Sequence, residues 1–233
     1  LVLATTFTGP RIGCSLALDS DGVTALGLPP DDFPELTEAC RQRLPGGRPG
    51  VIELADGSSV LIDVIPRQHH LLIIGAGPDA VPMAKTAADL HWRVTIADHR
   101  EVNPGAGHFP QDVVQVFSEP GQLADTVELG SVSAALLMTH NFNADVGFLR
   151  SLALRPPAYV GLLGPTARRG KLIEALDDAQ REALKDRIRG PVGLDIGAES
   201  PASIALAAVA EIHACLEGAD ASSLNLSPSR SAA

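Results

Sequence analysis

The chain has 233 residues, a formal net charge of −10, 45% hydrophobic and 3% aromatic residues, so it can bury one large core or two modest ones. The acidic balance and the lack of stacking aromatics exclude a nucleic-acid partner, which needs a clustered basic face. No apolar run approaches the roughly 20 residues that cross a bilayer.

Lysine is confined to Lys85, Lys171 and Lys185, so most positive charge sits on arginine, whose planar fork suits phosphates and carboxylates. Cys14, Cys40 and Cys215 are far apart and without CxxC or Cys/His spacing. This predicts a reduced, cytoplasmic protein without a structural zinc, each cysteine serving as a small apolar residue. Leu1 opens LVLATTFTG without the basic flank and cleavage site of a signal peptide, which reads as a start from which native residues are missing.

The first 66 residues alternate in short stretches, LVLATTF, SLALDSDG and GVIELADGSSVLIDVIP. Their DG turns and β-branched residues predict antiparallel hairpins, and PELTEACRQRL predicts one short helix started near Pro34. The expectation is a small α+β domain, linked through Pro66–His69 to a second domain over 69–218. From His70 apolar strands alternate with helical patterns, the signature of a parallel sheet with crossover helices. Strands are predicted at His70–Ile74, Arg93–Ala97, Val113–Phe117, Ala134–Met138 and Ala158–Leu163. Helices are predicted at Pro78–Leu90, Pro120–Leu129, Asn143–Leu154 and Thr166–Ala179. A last helix starts at Pro201, capped by Ser200, and the tail 219–233 is expected to be disordered.

GAGPDA sets Gly75, Gly77 and Ala80 in a GxGxxG/A pattern between a strand and a helix, with Ala76 and Pro78 in the turn. Glycine permits the tight turn and the approach of backbone to a pyrophosphate, and the helix N-terminus offers N–H groups to an anion. Asp98 follows roughly 20 residues on, where such folds hold a ribose hydroxyl. It could equally pair with Arg100, and the glycine turn could equally serve packing alone. Asp79 would repel a phosphate.

In such sheets ligands bind outside the carboxyl ends of the strands. Thr139 and His140 stand there after the fourth strand. Gly161 and Gly164 lead from the fifth strand into a helix whose first turn carries Arg168 and Arg169, either an anion seat or a solvated face. His140 could act as acid, base or ligand, or merely cap a helix. GPVGLDIGAESP delivers Asp195 and Gly197 between small-residue turns, to let backbone approach a ligand or to pack as a neighbouring strand. No GxSxG, HExxH, Walker or paired-carboxylate motif is present, so no catalytic residue is assigned.

Taken as a set, LLIIGAGPDAVPMAKTAADLHWRVTIADHR, LLMTHNFNADVGFLRSL, YVGLLGPTARRGKLIEAL and RIRGPVGLDIGAESPASIALAAVAEI resemble the C-terminal domain of the XdhC/CoxI family over residues 69–217. The resemblance implies a Rossmann-type doubly wound domain in a bacterial cytoplasmic accessory protein that matures xanthine dehydrogenase-type molybdenum hydroxylases. It would bind the molybdenum (molybdopterin) cofactor, support its sulfuration by a cysteine desulfurase and hand it to the apoenzyme without turnover. Gly75, Gly77, Asp98, Arg100, Thr139, His140, Gly161, Gly164, Arg168, Arg169, Asp195 and Gly197 match the family's pattern. Thr8–Gly22 resembles a compressed form of the family's PRxxG stretch, with Arg11 a candidate phosphate contact. The GGCxE-type motif expected next is missing, GLPPDDFPELTEAC standing in its place, and neither Cys14 nor Cys40 fills it. The alternatives are an NAD(P)-dependent oxidoreductase with His140 as proton donor and Asp98 on the ribose, or an interaction scaffold. A homodimer is expected because the edge strands need cover.

Overall fold

The computed structural model describes residues 1–19, 22–26, 34–43, 48–65, 68–102, 105 and 107–223. The chain divides into two compact units, Leu1–Arg67 and Gln68–Ala233. Residues 27–33, within the segment that replaces the cysteine motif, and the tail beyond 223 lie outside the described residues.

The first unit is built on hairpins. β1 (Val2–Thr6), β2 (Ser15–Leu18), β3 (Val23–Leu26), β4 (Gly50–Glu53) and β5 (Ser59–Val64) form one antiparallel sheet in the order β3-β2-β1-β5-β4. Alternation along β1 buries Val2 and Ala4, and Leu16, Leu18, Val60 and Ile62 join them on one face, as the period of two in an extended strand requires. Helix α1 (Pro34–Arg41) closes that face with Leu36 and Cys40. Cys40 is a packing residue, and burial pushes its thiol up, away from reactivity. Cys14 is half-buried and Cys215 is exposed.

The second unit is a parallel sheet of β6 (His70–Ile74), β7 (Arg93–Asp98), β8 (Val114–Phe117), β9 (Ala134–Leu137), β10 (Tyr159–Leu162) and β11 (Ile188–Arg189), in the order β11-β10-β9-β6-β7-β8. That is the order of a Rossmann sheet, with its reversal between β6 and β9. Every residue of β6 and β9 is buried, as expected for strands covered on both faces. Leu71, Ile73, Leu136 and Met138 meet α2 (Ala80–Asp89) and α7 (Pro201–Leu216), which meet the sheet through Ala84, Ala87, Ala205, Ala208 and Ile212. Leu72, Ile74, Leu137 and Val160 meet the opposite layer, including Phe148, Leu149 and Leu152. Each such aliphatic side chain contributes about 1.5–3 kcal/mol on full burial.

That second layer differs from expectation in its breaks. The helix predicted over 120–129 is a 3-10 turn at Pro120–Gln122, a short α3 (Leu123–Thr126) and a second 3-10 turn at Leu129–Ser131. The Gly147 backbone lies so close to Pro120 that a Cβ there would stand 2.5 Å from the Pro120 Cβ, and α4 (Phe142–Leu154) packs directly over this turn. The helix predicted over 166–179 ends as α5 (Thr166–Glu174), and α6 (Asp178–Leu184) restarts at Asp177. The Asp177 carboxylate accepts from the Gln180 N–H at 2.8 Å in a reciprocal capping box, a stronger local instruction than continued periodicity. Among the described residues no helix is long and apolar enough to cross a membrane.

Candidate functional site

The reversal of strand order leaves the carboxyl ends of β6 and β9 side by side, and the glycine loop turns there. The Gly75 N–H donates to Ala97 O at 2.8 Å and the Met138 N–H to Ile74 O at 2.8 Å. Gly75 has φ +112°, and a Cβ on it would lie 2.6 Å from Met138 O and 2.8 Å from Thr139 N. Both backbone conformation and the approach of β9 therefore demand glycine here.

Asp98, at the end of β7, is only 2% exposed and is fully engaged. It accepts from the Ala76 N–H at 2.6 Å, from the Arg100 N–H at 2.9 Å, and from Arg100 Nε at 2.9 Å and Nη2 at 2.8 Å. Burial works against the ionised carboxyl, but the Arg100 guanidinium and the Ala76 and Arg100 amides outweigh it and hold the pKa below its ordinary value. The chain then returns over the loop, where the Gly105 N–H donates to Ala76 O at 2.9 Å. Ala76 is thus pinned through both its amide and its carbonyl. The outward part of the loop is Gly77 and Asp79, half-buried, and the exposed Pro78.

After β9 the chain makes a second clamp. Asp145, in the first turn of α4, is buried and ion-paired. It accepts from Thr139 Oγ1 at 2.6 Å and from Arg168 Nη2 at 2.6 Å, tying the end of β9 to the starts of α4 and α5. The Arg168 stem crosses Gly164, which has φ +122° and whose Cβ would sit 3.1 Å from Arg168 Cδ. His140 is exposed with φ +59°, and its Nε2 stands 3.8 Å from Asp79 Oδ2. Asn141, not His140, caps α4, accepting from the Ala144 N–H at 3.1 Å.

Arg169 differs from its neighbour. Its Nε is buried without a hydrogen-bond partner among the described residues, and its Cδ lies 3.1 Å from where a Gly190 Cβ would be, past the end of β11. Gly161 faces Leu136, Tyr159 and Val192 and serves packing within the sheet. In the following loop the Gly193 N–H and the Tyr159 hydroxyl both donate to Glu211 Oε2, at 2.7 and 2.6 Å. Burial, with the Glu211 bond, pushes the Tyr159 phenol up. Asp195 is exposed and Gly197 has φ +71°. Arg11 belongs to the first unit, where its Nε pairs with Asp56 Oδ2 at 2.9 Å.

The predicted residues thus fall into two groups around the β6–β9 crevice, Gly75–Ala76–Asp98–Arg100 and Thr139–Gly164–Arg168. Sequence reading missed Asp145, the hub of the second group. Its signal was a carboxylate between Ala144 and Val146 on the apolar side of a helix, where an ion needs a partner.

The XdhC Rossmann domain family matches residues 71–212. The chain belongs to that family. A Bacillus subtilis protein named as a probable xanthine dehydrogenase subunit is 32% identical over 155 residues, 66% of this chain and 45% of that protein. An uncharacterized protein of Escherichia coli K12, YqeB, is 32% identical over 161 residues, 66% of this chain and 28% of its own. The chain thus matches less than half the length of either relative. The crystal structure of a xanthine dehydrogenase from Bacillus halodurans is similar in fold with a TM-score of 0.69 and 20% identity, over 93% of this chain and 62% of that one.

Proposed function

We propose that the second unit binds the molybdenum (molybdopterin) cofactor and acts as an accessory factor to a xanthine dehydrogenase-type molybdenum hydroxylase. In that role it supports sulfuration by a cysteine desulfurase and insertion into the apoenzyme. Membership of the XdhC family supports the system served. The observation that carries the ligand class is Arg169, a cation whose buried Nε–H has no acceptor among the described residues. An anionic oxygen supplies what that donor needs, so the donor set fits a phosphate-bearing pterin.

When bound, the cofactor supplies the molybdenum centre that the hydroxylase uses. The chain's residues hold and orient. Arg169 donates Nε–H to an anionic oxygen. The preceding residue, Arg168, is ion-paired to Asp145, so its charge is already balanced and its fork is pre-set. At the α2 N-terminus the Asp79 carboxylate keeps an anion away.

A nicotinamide dinucleotide finds less support. Both Asp98 oxygens are occupied by Ala76 and Arg100, so a ribose hydroxyl would have to displace a charge-assisted bond. The test is retention by gel filtration after anaerobic mixing with molybdopterin released from a donor enzyme, beside a fluorescence titration with NADH. Pterin retained by the wild type and lost by Arg169→Ala is expected. Pterin in the flow-through together with saturable NADH binding overturns the reading.

A further inference from the structure

At the amino end of β6, away from the strand carboxyl ends that form the crevice, three potential ligands converge. His69 immediately precedes β6, while His213 and Glu217 lie one turn apart at the C-terminal end of α7. One ligand atom from each lies within 4.8 Å of the others. His69 Nε2 already meets Glu217 Oε1 at 2.9 Å. We propose that His69, His213 and Glu217 form a binding site for a divalent transition cation of the zinc class.

Two imidazoles and one carboxylate are a donor set that zinc accepts, and in a tetrahedral shell its ligand atoms stand roughly 3.3 Å apart. The ligand atoms, within 4.8 Å of one another, need to close by at most about 1.5 Å to reach that spacing, which side-chain rotation supplies. The His69 ring is held from behind. Buried Trp92 meets it edge-on at 5.3 Å between ring centroids, and Trp92 lies 6.1 Å from the His213 ring. An ion pair alone accounts for the His69–Glu217 contact, but not for a second imidazole brought to the same gap from 144 positions along the chain. The half-buried His69 and the exposed His213 and Glu217 leave outer coordination positions open to water. The helix C-terminus adds its negative dipole end beneath the cation. On binding, the cation takes the place of the His69–Glu217 hydrogen bond, each atom of that pair turning its lone pair to the metal. Coordination would staple α7 to the strand that carries the glycine loop, a structural rather than a chemical role.

Trp92 is the only tryptophan, so its emission reads the site directly. The full chain, stripped with chelator, is titrated with Ni2+ as a quenching probe and then with Zn2+ in competition. The expected result is saturable quenching at one equivalent, reversed by chelator and displaced by Zn2+. Affinity should fall at least ~10-fold in both His213→Gln and Glu217→Gln, with unchanged circular dichroism and denaturant midpoint showing that each is folded. Absence of quenching up to millimolar Ni2+, or quenching equal in wild type and both variants, overturns the proposal.

Discussion

Replacing Asp98 by Asn changes one charge and one acceptor while preserving shape, and so tests whether this carboxylate is a clamp. In the native chain it accepts four hydrogen bonds, one from Ala76 and three from Arg100. Asparagine can still accept from Ala76 through its remaining oxygen, but its NH2 then faces Arg100 donors. A buried charge-assisted hydrogen bond contributes about 1.5–3 kcal/mol. The Arg100 side chain is 40% exposed, so water recovers part of that loss. The net destabilisation expected for Asp98→Asn is about 2 kcal/mol at neutral pH, a midpoint shift of about 4–8 °C for a chain of this size. Trp92 lies in the same unit and reports its unfolding in denaturant. Because the folded pKa of Asp98 is depressed, its contribution is complete above the unfolded carboxyl value and is lost as pH falls through the folded one. The gap between wild type and variant should therefore persist through mildly acidic pH and close only in strong acid. A variant within about 0.5 kcal/mol of wild type at neutral pH would refute the clamp and return Asp98 to a ribose.

Three further outcomes follow from the same geometry. Gly75→Ala should cost about 3 kcal/mol or more, since it combines a left-handed φ with backbone contact from Met138 and Thr139; denaturant unfolding or loss of soluble protein measures it. Arg168→Ala leaves Asp145 buried without its cation, for about 2–4 kcal/mol, and Arg168→Lys should recover only part of the loss, read by the same unfolding curves. His70 is buried between Ser131 Oγ at 3.0 Å and Thr95 Oγ1 at 2.9 Å, and burial first, then the Arg93 charge, lowers its pKa to about 4. The unfolded imidazole takes up a proton near pH ~6.5 and the folded one only near about 4. Stability is therefore full above the unfolded value and falls by about 2 kcal/mol between pH ~7 and pH ~5. Unfolding curves across that window should show this slope, and His70→Gln should flatten it.

How far the sequence specified the molecule can be judged element by element. Strands β6 and β9 were legible because their apolar runs leave little choice but a sheet covered on both faces, and β7 because β-branched Val94, Thr95 and Ile96 follow one another. The two-residue β11 carried no such signal and forms only by pairing with β10. Asp177 and Gln180 were present as a helix start, but the apolar spacing across Leu172 and Leu176 masked the break. At the site, glycine and acid spacing located the crevice. The partner of Asp98 was foreseeable because Arg100 is two positions away. The partner of Asp145 is 23 positions away on α5, and only the folded sheet brings them together.

The central claim is tested most directly by identifying what the protein carries. Purified anaerobically from cells with the molybdenum-cofactor pathway intact, it should release a fluorescent oxidised pterin near one equivalent, and none from cells lacking the pathway. A preparation that carries a nicotinamide nucleotide instead, or no pterin under either condition, would contradict the account.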